Sequence, residues 1–321
     1  MRILLLSQLP ADKNFFEAVA SKSSLSFQHF STAVALVDDL ARDASAIVVV
    51  DASNQGLFSA FENCVSDKIG LYSAVMNPNY FFYITSQPFY AATYLHESQV
   101  FGNHIQRNYH ESEQKILAQI FGKFAKDSAF EVEKYFSPMA KLQLTKIKKS
   151  TDKYSVVEAL KDYLLRWGMN SRATAIIANA ADEIIMNAVY EAPIDGLGKQ
   201  LYVNTARNAP IELDAASPIE FKVVHDDECV AISVMDSFGS LDRAKVISLL
   251  GKVYRDEEYK IKPNVAGAGI GFSDTFYHSG GLVVASEPGV KTEVILFYKK
   301  TESFKDFREQ IRFMGCFTAG V

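Results

Sequence analysis

Glu183 and Asn187 stand four residues apart in a stretch with helical apolar spacing, so their side chains share one face, one turn from each other. Asn179 extends that face backwards. A carboxylate and a carboxamide stacked in this way present oxygen ligands to a hard cation such as Mg2+, which also brings its own water and phosphate partners. Further on, Asp236-Ser-Phe-Gly239 follows a strand-like run and places a carboxylate at a strand end where the backbone must turn tightly. Gly267-Ala-Gly269-Ile-Gly271 then leads into a helix-like stretch, Ser273–His278. Closely spaced glycines let backbone N–H groups approach phosphate oxygens, and a helix N-terminus adds favourable partial charge. The spacing is G-x-G-x-G, which is neither the dinucleotide-binding G-x-G-x-x-G nor a P-loop, since no Gly-Lys-Ser/Thr follows.

These residues need particular elements beneath them. Arg172–Glu191 reads as a helix with a buried stripe of Ile176, Ile177, Ala180, Ala181, Ile184, Ile185, Ala188 and Val189. Before it, Leu142–Lys148 alternates as a strand, and Ser155-Val-Val-Glu158 has the form of a capping box that starts a helix running to Trp167. Gly168 is suited to end that helix. Ile219–Val224 and Cys229–Met235 read as strands, as do Val283–Ser286 and Thr292–Tyr298, the last two joined by a Glu-Pro-Gly turn.

In this order the boxes resemble the ATP-binding domain of the gyrase, heat-shock-chaperone, histidine-kinase and mismatch-repair group. The resemblance covers residues 141–300, roughly half of the chain. It implies a two-layer α/β sandwich, with a mixed sheet and helices on one face. It implies ATP and Mg2+ as cofactors: Asn187 as the metal ligand, and Glu183 as the catalytic group that orients or activates the nucleophile. Asp236 would accept from the adenine amino group, Gly239 would allow close approach to the base, and Thr292 falls where the family has a threonine near adenine. Gly267, Gly269 and Gly271 would form the base of a lid spanning roughly Leu241–Ala266, which carries Arg243, Lys245, Lys252, Arg255, Lys260 and Lys262. No persuasive dimerisation histidine precedes the domain, so the resemblance points to the anti-sigma-kinase branch of the group. The implied activity is an ATP-dependent protein kinase, of the Ser/Thr or His kind, that regulates a protein partner. The alternative is an ATP-gated module that sequesters a partner with little catalysis.

Residues 1–108 alternate strand and helix signals, as parallel strands with crossover helices do. Arg2–Leu6, Ser26–Phe30, Ala46–Val50 and Tyr80–Thr85 are the expected strands, and Phe15–Ala20, Ala33–Ala41 and Phe58–Val65 the expected helices. The pattern resembles a bacterial receiver domain, with Asp51 where receivers carry the phosphoaccepting aspartate and Thr85 where they place a switch residue. The acidic pair that receivers use to hold magnesium is replaced by Ser7, Gln8 and Leu9, and no lysine ends a fifth strand. An aspartate without that counter-charge is a poor phosphoryl acceptor. Asp51 is therefore read as a strand-end polar residue or helix cap, in a degenerate receiver used for docking or dimerisation. Ile105 to Tyr135 has helical spacing and reads as part of a connector, 109–140. His110–Glu111 and His96–Glu97 match a phosphoaccepting motif poorly and read as ordinary surface or core histidines. Phe304, Phe307, Ile311 and Met314 suggest a helical tail over 301–321.

The chain has 321 residues and a net charge of -5. Its length suggests two domains, and its charge leaves no basic excess to track a nucleic-acid backbone. Three widely spaced cysteines, Cys64, Cys229 and Cys316, form neither a zinc pattern nor a disulfide framework, which fits a reducing cytoplasm. The opening MRILLLSQLP is too short for a signal-peptide core, and no run approaches the roughly 20 apolar residues of a membrane span. The expected protein is cytoplasmic and binds a protein partner. It binds neither nucleic acid nor membrane, and a homodimer is compatible with its tail.

Overall fold

The structure is a computed structural model and describes residues 1–67, 77–87, 103–126, 128–202, 204–214, 218–255, 270–310 and 312–320. For residues 112, 250–255, 270 and 272–274 it describes the backbone only. The chain divides into two compact units, 1–129 with 313–317 and 130–312 with 318–320.

The first unit is built on short, continuous apolar runs, which suit strands covered on both faces. Its elements are β1 (Arg2–Leu6), α1 (Pro10–Ser23), β2 (Ser26–Phe30), α2 (Ala33–Arg42), β3 (Ala46–Asp51), α3 (Gln55–Ser66), β4 (Phe81–Thr85), β5 (Asn103–Gln106) and α4 (Glu111–Phe124). The strand order is β2-β1-β3-β4-β5, and every neighbouring pair is parallel. This is one of the two common doubly wound orders, and such sheets gather functional groups at the carboxyl ends of their strands. On one side, Leu36, Val37, Phe58 and Phe61 pack onto Leu4, Leu6, Val48 and Val50. Elsewhere in the unit, Phe121 of α4 lies 4.7 Å from the ring of Phe82 and stacks on Phe16 of α1 at 6.3 Å. Ile105 belongs to a strand rather than to the connector helix expected there. The four residues Asn103–Gln106 form a run too short to reveal its period within the helical spacing downstream.

The second unit holds β6 (Lys141–Ile147), α5 (Asp152–Arg166), α6 (Ser171–Tyr190), β7 (Ile219–His225), β8 (Cys229–Asp236), α7 (Arg243–Arg255), α8 (Ile270–His278), β9 (Gly281–Glu287), β10 (Lys291–Lys299) and α9 (Phe304–Arg308). Its strand order is β9-β10-β8-β7-β6, with each neighbouring pair antiparallel. Strand pairing over the chain is thus both parallel and antiparallel. α6 packs on β7 and β8, flanked by α5 and α8. Gly168 ends α5 at φ +89, a left-handed conformation that costs glycine little. The capping-box reading is corrected: α5 starts at Asp152, whose carboxylate accepts from the N–H groups of Lys148 and Lys149 at 3.0 and 3.1 Å. Ser155 sits inside the first turn, where its hydroxyl donates to the Asp152 carbonyl at 2.9 Å. The S-x-x-E pattern therefore falls within the helix instead of at its boundary.

The sheet face away from α6 is closed by a single turn of 3-10 helix, Val132–Tyr135. Phe136 stacks on Phe297 at 6.3 Å and Tyr135 meets the same ring edge-on at 5.5 Å. The fully buried Glu293 carboxylate fixes this segment, accepting from the N–H of Glu131 at 2.5 Å and of Val132 at 3.2 Å. Burial pushes the Glu293 pKa up, and the donated N–H groups oppose the rise.

The expected helical tail is also corrected. Among the described residues of the tail only Phe304–Arg308 is helical, and Phe313–Thr318 forms a strand, β11, antiparallel to β5. Cys316 N–H donates to the buried Asn103 side chain at 2.7 Å. The helical reading joined residues of two elements: Phe304 and Phe307 belong to α9, Met314 to an almost wholly buried strand, and Ile311 lies outside the described residues. Among the described residues, no helix is long and apolar enough to cross a membrane.

Replacing Glu293 by Ala leaves the Glu131 and Val132 N–H groups buried without their acceptor. A loss on the order of 1–3 kcal/mol is expected in chemical denaturation, with faster hydrogen exchange at those two amides.

Candidate functional site

α6 begins at a conventional cap, with the Asn170 side chain accepting from the N–H groups of Arg172 and Ala173 at 3.0 and 3.3 Å. Its apolar stripe is buried from Ile177 to Val189, while Ile176 is half-buried. Glu183 and Asn187 stand half-buried on one face, as their spacing requires. A residue the sequence did not single out completes this face. Arg207 lies 3.4 Å from both Glu183 carboxylate oxygens and from Asn187 Oδ1, and it pairs closely with Glu191. Burial raises the Glu183 pKa, and the Arg207 charge pulls it back. The Arg207 pKa is itself raised: burial would lower it, but Glu183 and Glu191 outweigh that. The guanidinium thus supplies the positive charge that the two carboxylates require.

α8 brings the third glycine of the glycine run to this face. A Cβ built on Gly271 would lie 2.1–2.4 Å from the Glu183 carboxyl atoms, so a side chain there would displace the carboxylate from its present position. Gly267 and Gly269 lie outside the described residues, as does the lid from residue 256 to Ala266, including Lys260 and Lys262. The described part of the expected lid holds α7, the side chains of Lys252 and Arg255 excepted.

Asp236 is the last residue of β8 and is 6% exposed. Burial pushes its pKa from 3.8 up to about 6, against the pull of backbone N–H groups from Phe238, Gly239 and Thr292. Asp236 is register partner to Thr292 on β10, which is partner to Ser286 on β9. Directly opposed residues on neighbouring strands point to the same face, so these three side chains form a row. Among the described residues, the hydroxyls of Thr292, Ser286 and nearby Ser240 are buried with no hydrogen-bond partner, and leaving such groups unpaired costs about 1–3 kcal/mol each. A cavity of about 40 Å3 connects the Asp236 end of the row to Asn187, walled also by Ile184, Val234 and Val294 and closed by Leu241, Lys245 and Leu249. Gly239 has φ +60, and its Cβ would lie 2.2 Å from the Glu287 carbonyl oxygen. Its glycine requirement comes from packing against the turn between β9 and β10.

In the first unit, Asp51 ends β3 and is buried. It accepts from Ser53 N–H at 3.0 Å and is ion-paired to Arg107 Nη2 at 2.8 Å. The same guanidinium grips Asp12 through Nε and Nη2 at 2.9 and 2.8 Å, and Asp12 also accepts from Ser7 and Tyr109 hydroxyls, both at 2.6 Å. Arg107 is held protonated: burial alone would lower its pKa, but Asp12 and Asp51 raise it above its usual value. Burial, with the bond to Asp12, raises Tyr109. Thr85, at the end of β4, accepts the Arg107 N–H through its carbonyl at 2.7 Å. Asp12, in the first turn of α1, and Asp51, at the end of β3, thus share one arginine that follows β5. His110 is exposed at the start of α4, and His96 lies outside the described residues.

Among the described residues, no group of three or more His, Cys, Asp and Glu side chains is arranged to hold a metal. A comparison of the chain with known protein families finds no match, and a comparison with curated proteins finds none.

The raised Asp236 pKa sets a pH dependence. Between 3.8 and about 6 the folded protein holds this proton more tightly than the unfolded chain. The contribution to stability is thus fully present below 3.8 and lost as pH rises through about 6. Denaturation curves of the wild type and Asp236→Asn, measured from pH 3.5 to 7.5, should differ in slope only across this interval. Parallel curves would show that Asp236 titrates normally.

Proposed function

We propose that the second unit binds Mg2+ and ATP and acts as an ATP-dependent protein kinase, of the anti-sigma or histidine-kinase-like type, on a protein partner. The observation that carries this reading is the strip beside α6. At one end stand Glu183 and Asn187 with Gly271 against them, and at the other stands the row of Asp236, Thr292 and Ser286. A buried carboxylate next to unpartnered hydroxyls suits the donors and acceptors of a purine edge, whereas an apolar ligand would leave them unsatisfied. A carboxamide with a carboxylate suits a magnesium ion that keeps waters and phosphate oxygens as its remaining ligands.

Bound ATP would supply the transferable phosphoryl group. Asp236, ionised at neutral pH, accepts a hydrogen bond from an amino group at the base end. Asn187 offers its amide oxygen to the cation. Glu183, its basicity raised by burial, takes a proton from the acceptor hydroxyl or imidazole. Arg207 must release Asn187 and Glu183 before a cation can use them, so it sets a threshold for cation entry. The 40 Å3 cavity has no room for a base, so Leu241, Lys245 and Leu249 must move outward as one enters. Lys245 then stands beside the entering ligand. The first unit, receiver-like in strand order but with Arg107 between Asp12 and Asp51, serves as a docking or dimerisation platform without phosphoryl acceptance. The resting pairing of Arg207 with Glu183 favours a second reading, in which nucleotide gates partner binding with little transfer.

Calorimetry with Mg2+ and ATP tests the site. Wild type should bind, and Asn187→Ala and Asp236→Asn should each weaken binding about tenfold or more, the loss of roughly 1.4 kcal/mol. Unchanged affinity in both variants would overturn the assignment. Glu183→Ala should keep ATP binding and lose phosphoryl transfer; a variant that retains partner regulation would leave the gating reading in its place.

A further inference from the structure

A second recess in this unit is far larger than the strip beside α6. It encloses about 700 Å3 between Ile176 of α6, Tyr277 and His278 at the end of α8, and Phe304, Lys305 and Arg308 of α9, with Arg312 at its rim. That is the volume of a ligand pocket or of several side chains of a docked segment. The residues are basic and aromatic together. The Arg312 guanidinium lies 4.6 Å from the Tyr277 ring centre, and Arg172 lies 5.8 Å from that of Phe304. Among the described residues, Arg172, Arg308 and Arg312 form no ion pair. The groove's acid, Glu309, is 3.9 Å from Lys305. A chain of net charge -5 thus sets Arg308 and Arg312, without ion pairs among the described residues, in one groove with Tyr277, Phe304 and Phe307, and Arg172 beside Phe304.

We propose that this groove is the docking site for an acidic segment of a protein partner. A guanidinium stacked on an aromatic ring is already oriented, and its free N–H edge accepts a carboxylate in bidentate geometry. Arginine and aromatic side chains are also the residues that carry binding energy at protein interfaces. With the net charge of the chain negative, a local basic patch of this kind steers a partner's carboxylates toward itself. None of Glu183, Asn187 or Asp236 lines the groove, yet the groove and the strip share two helices. α6 carries Ile176 in the groove and Glu183 in the strip, and α8 carries Tyr277 in the groove and Gly271 against Glu183.

The test uses the full chain and a short fluorescein-labelled peptide of alternating Glu, Asp and Leu, read by fluorescence anisotropy at low salt. Saturable binding is expected, weakening as salt is raised and absent for the Gln/Asn analogue of the peptide. Arg308→Glu with Arg312→Glu should weaken it by about tenfold or more, and Arg308→Gln with Arg312→Gln by less. Lys146→Glu with Lys148→Glu, at a basic cluster on another part of the surface, should leave it unchanged. The proposal is overturned if the acidic peptide does not bind, if the Lys146/Lys148 variant loses as much as the arginine variant, or if a single-stranded oligonucleotide displaces the peptide at lower concentration than unlabelled peptide does.

Discussion

A carboxylate taken out of water must be given a fixed positive charge or a set of donors, and the buried carboxylates of both units are organised around that constraint. In the first unit Arg107 is shared by Asp12 and Asp51, with 8% of its side chain exposed. In the second, Arg207 is shared by Glu183 and Glu191 and touches Asn187. Where no arginine reaches, backbone N–H groups take over. Glu293 is met by Glu131 and Val132, and Asp236 by the turn that follows it. Burial is not fully offset in either arrangement: Glu183 is raised despite Arg207, and Asp236, met by N–H groups with Lys245 assisting, is pushed up to about 6.

The architecture follows from where these groups are set. In the doubly wound unit the strand ends of β1, β3, β4 and β5 converge, so residues distant in sequence meet over one edge; Asp12 and Arg107 are 95 positions apart. In the antiparallel unit, cross-strand register aligns Asp236, Thr292 and Ser286, and α6 packs on β8 at the Asp236 end of the row. Gly271 brings α8 against Glu183, whose carboxylate occupies the space a side chain there would take.

Much of this was legible in the sequence, and the reasons are physical. The 3.6-residue period placed Glu183 and Asn187 on one face, and continuous β-branched runs placed Asp51 and Asp236 at strand ends. Pairing across long separations has no local signature. Arg207 sits in an irregular stretch between α6 and β7, Arg107 just past a four-residue strand, and Asp12 one turn into a helix that begins with proline. None of the three carries a periodicity that would single it out. The tail was misread because an almost wholly buried strand shows no alternation, and its first residues fell by chance on the helical spacing of α9. The capping-box pattern was displaced by a turn because Asp152, Ser155 and Glu158 repeat the same three-residue interval.

The central claim is that one strip beside α6 takes a nucleotide, with its cation at Asn187 and its base at Asp236. A crystal structure with Mg2+ and a non-hydrolysable ATP analogue tests it most directly. The account predicts the base against Asp236 and Thr292, the ion on Asn187, Arg207 withdrawn from Glu183, and Leu241 and Leu249 moved outward. An analogue bound elsewhere, or Arg207 still resting on Glu183 and Asn187 with the nucleotide in place, would contradict it.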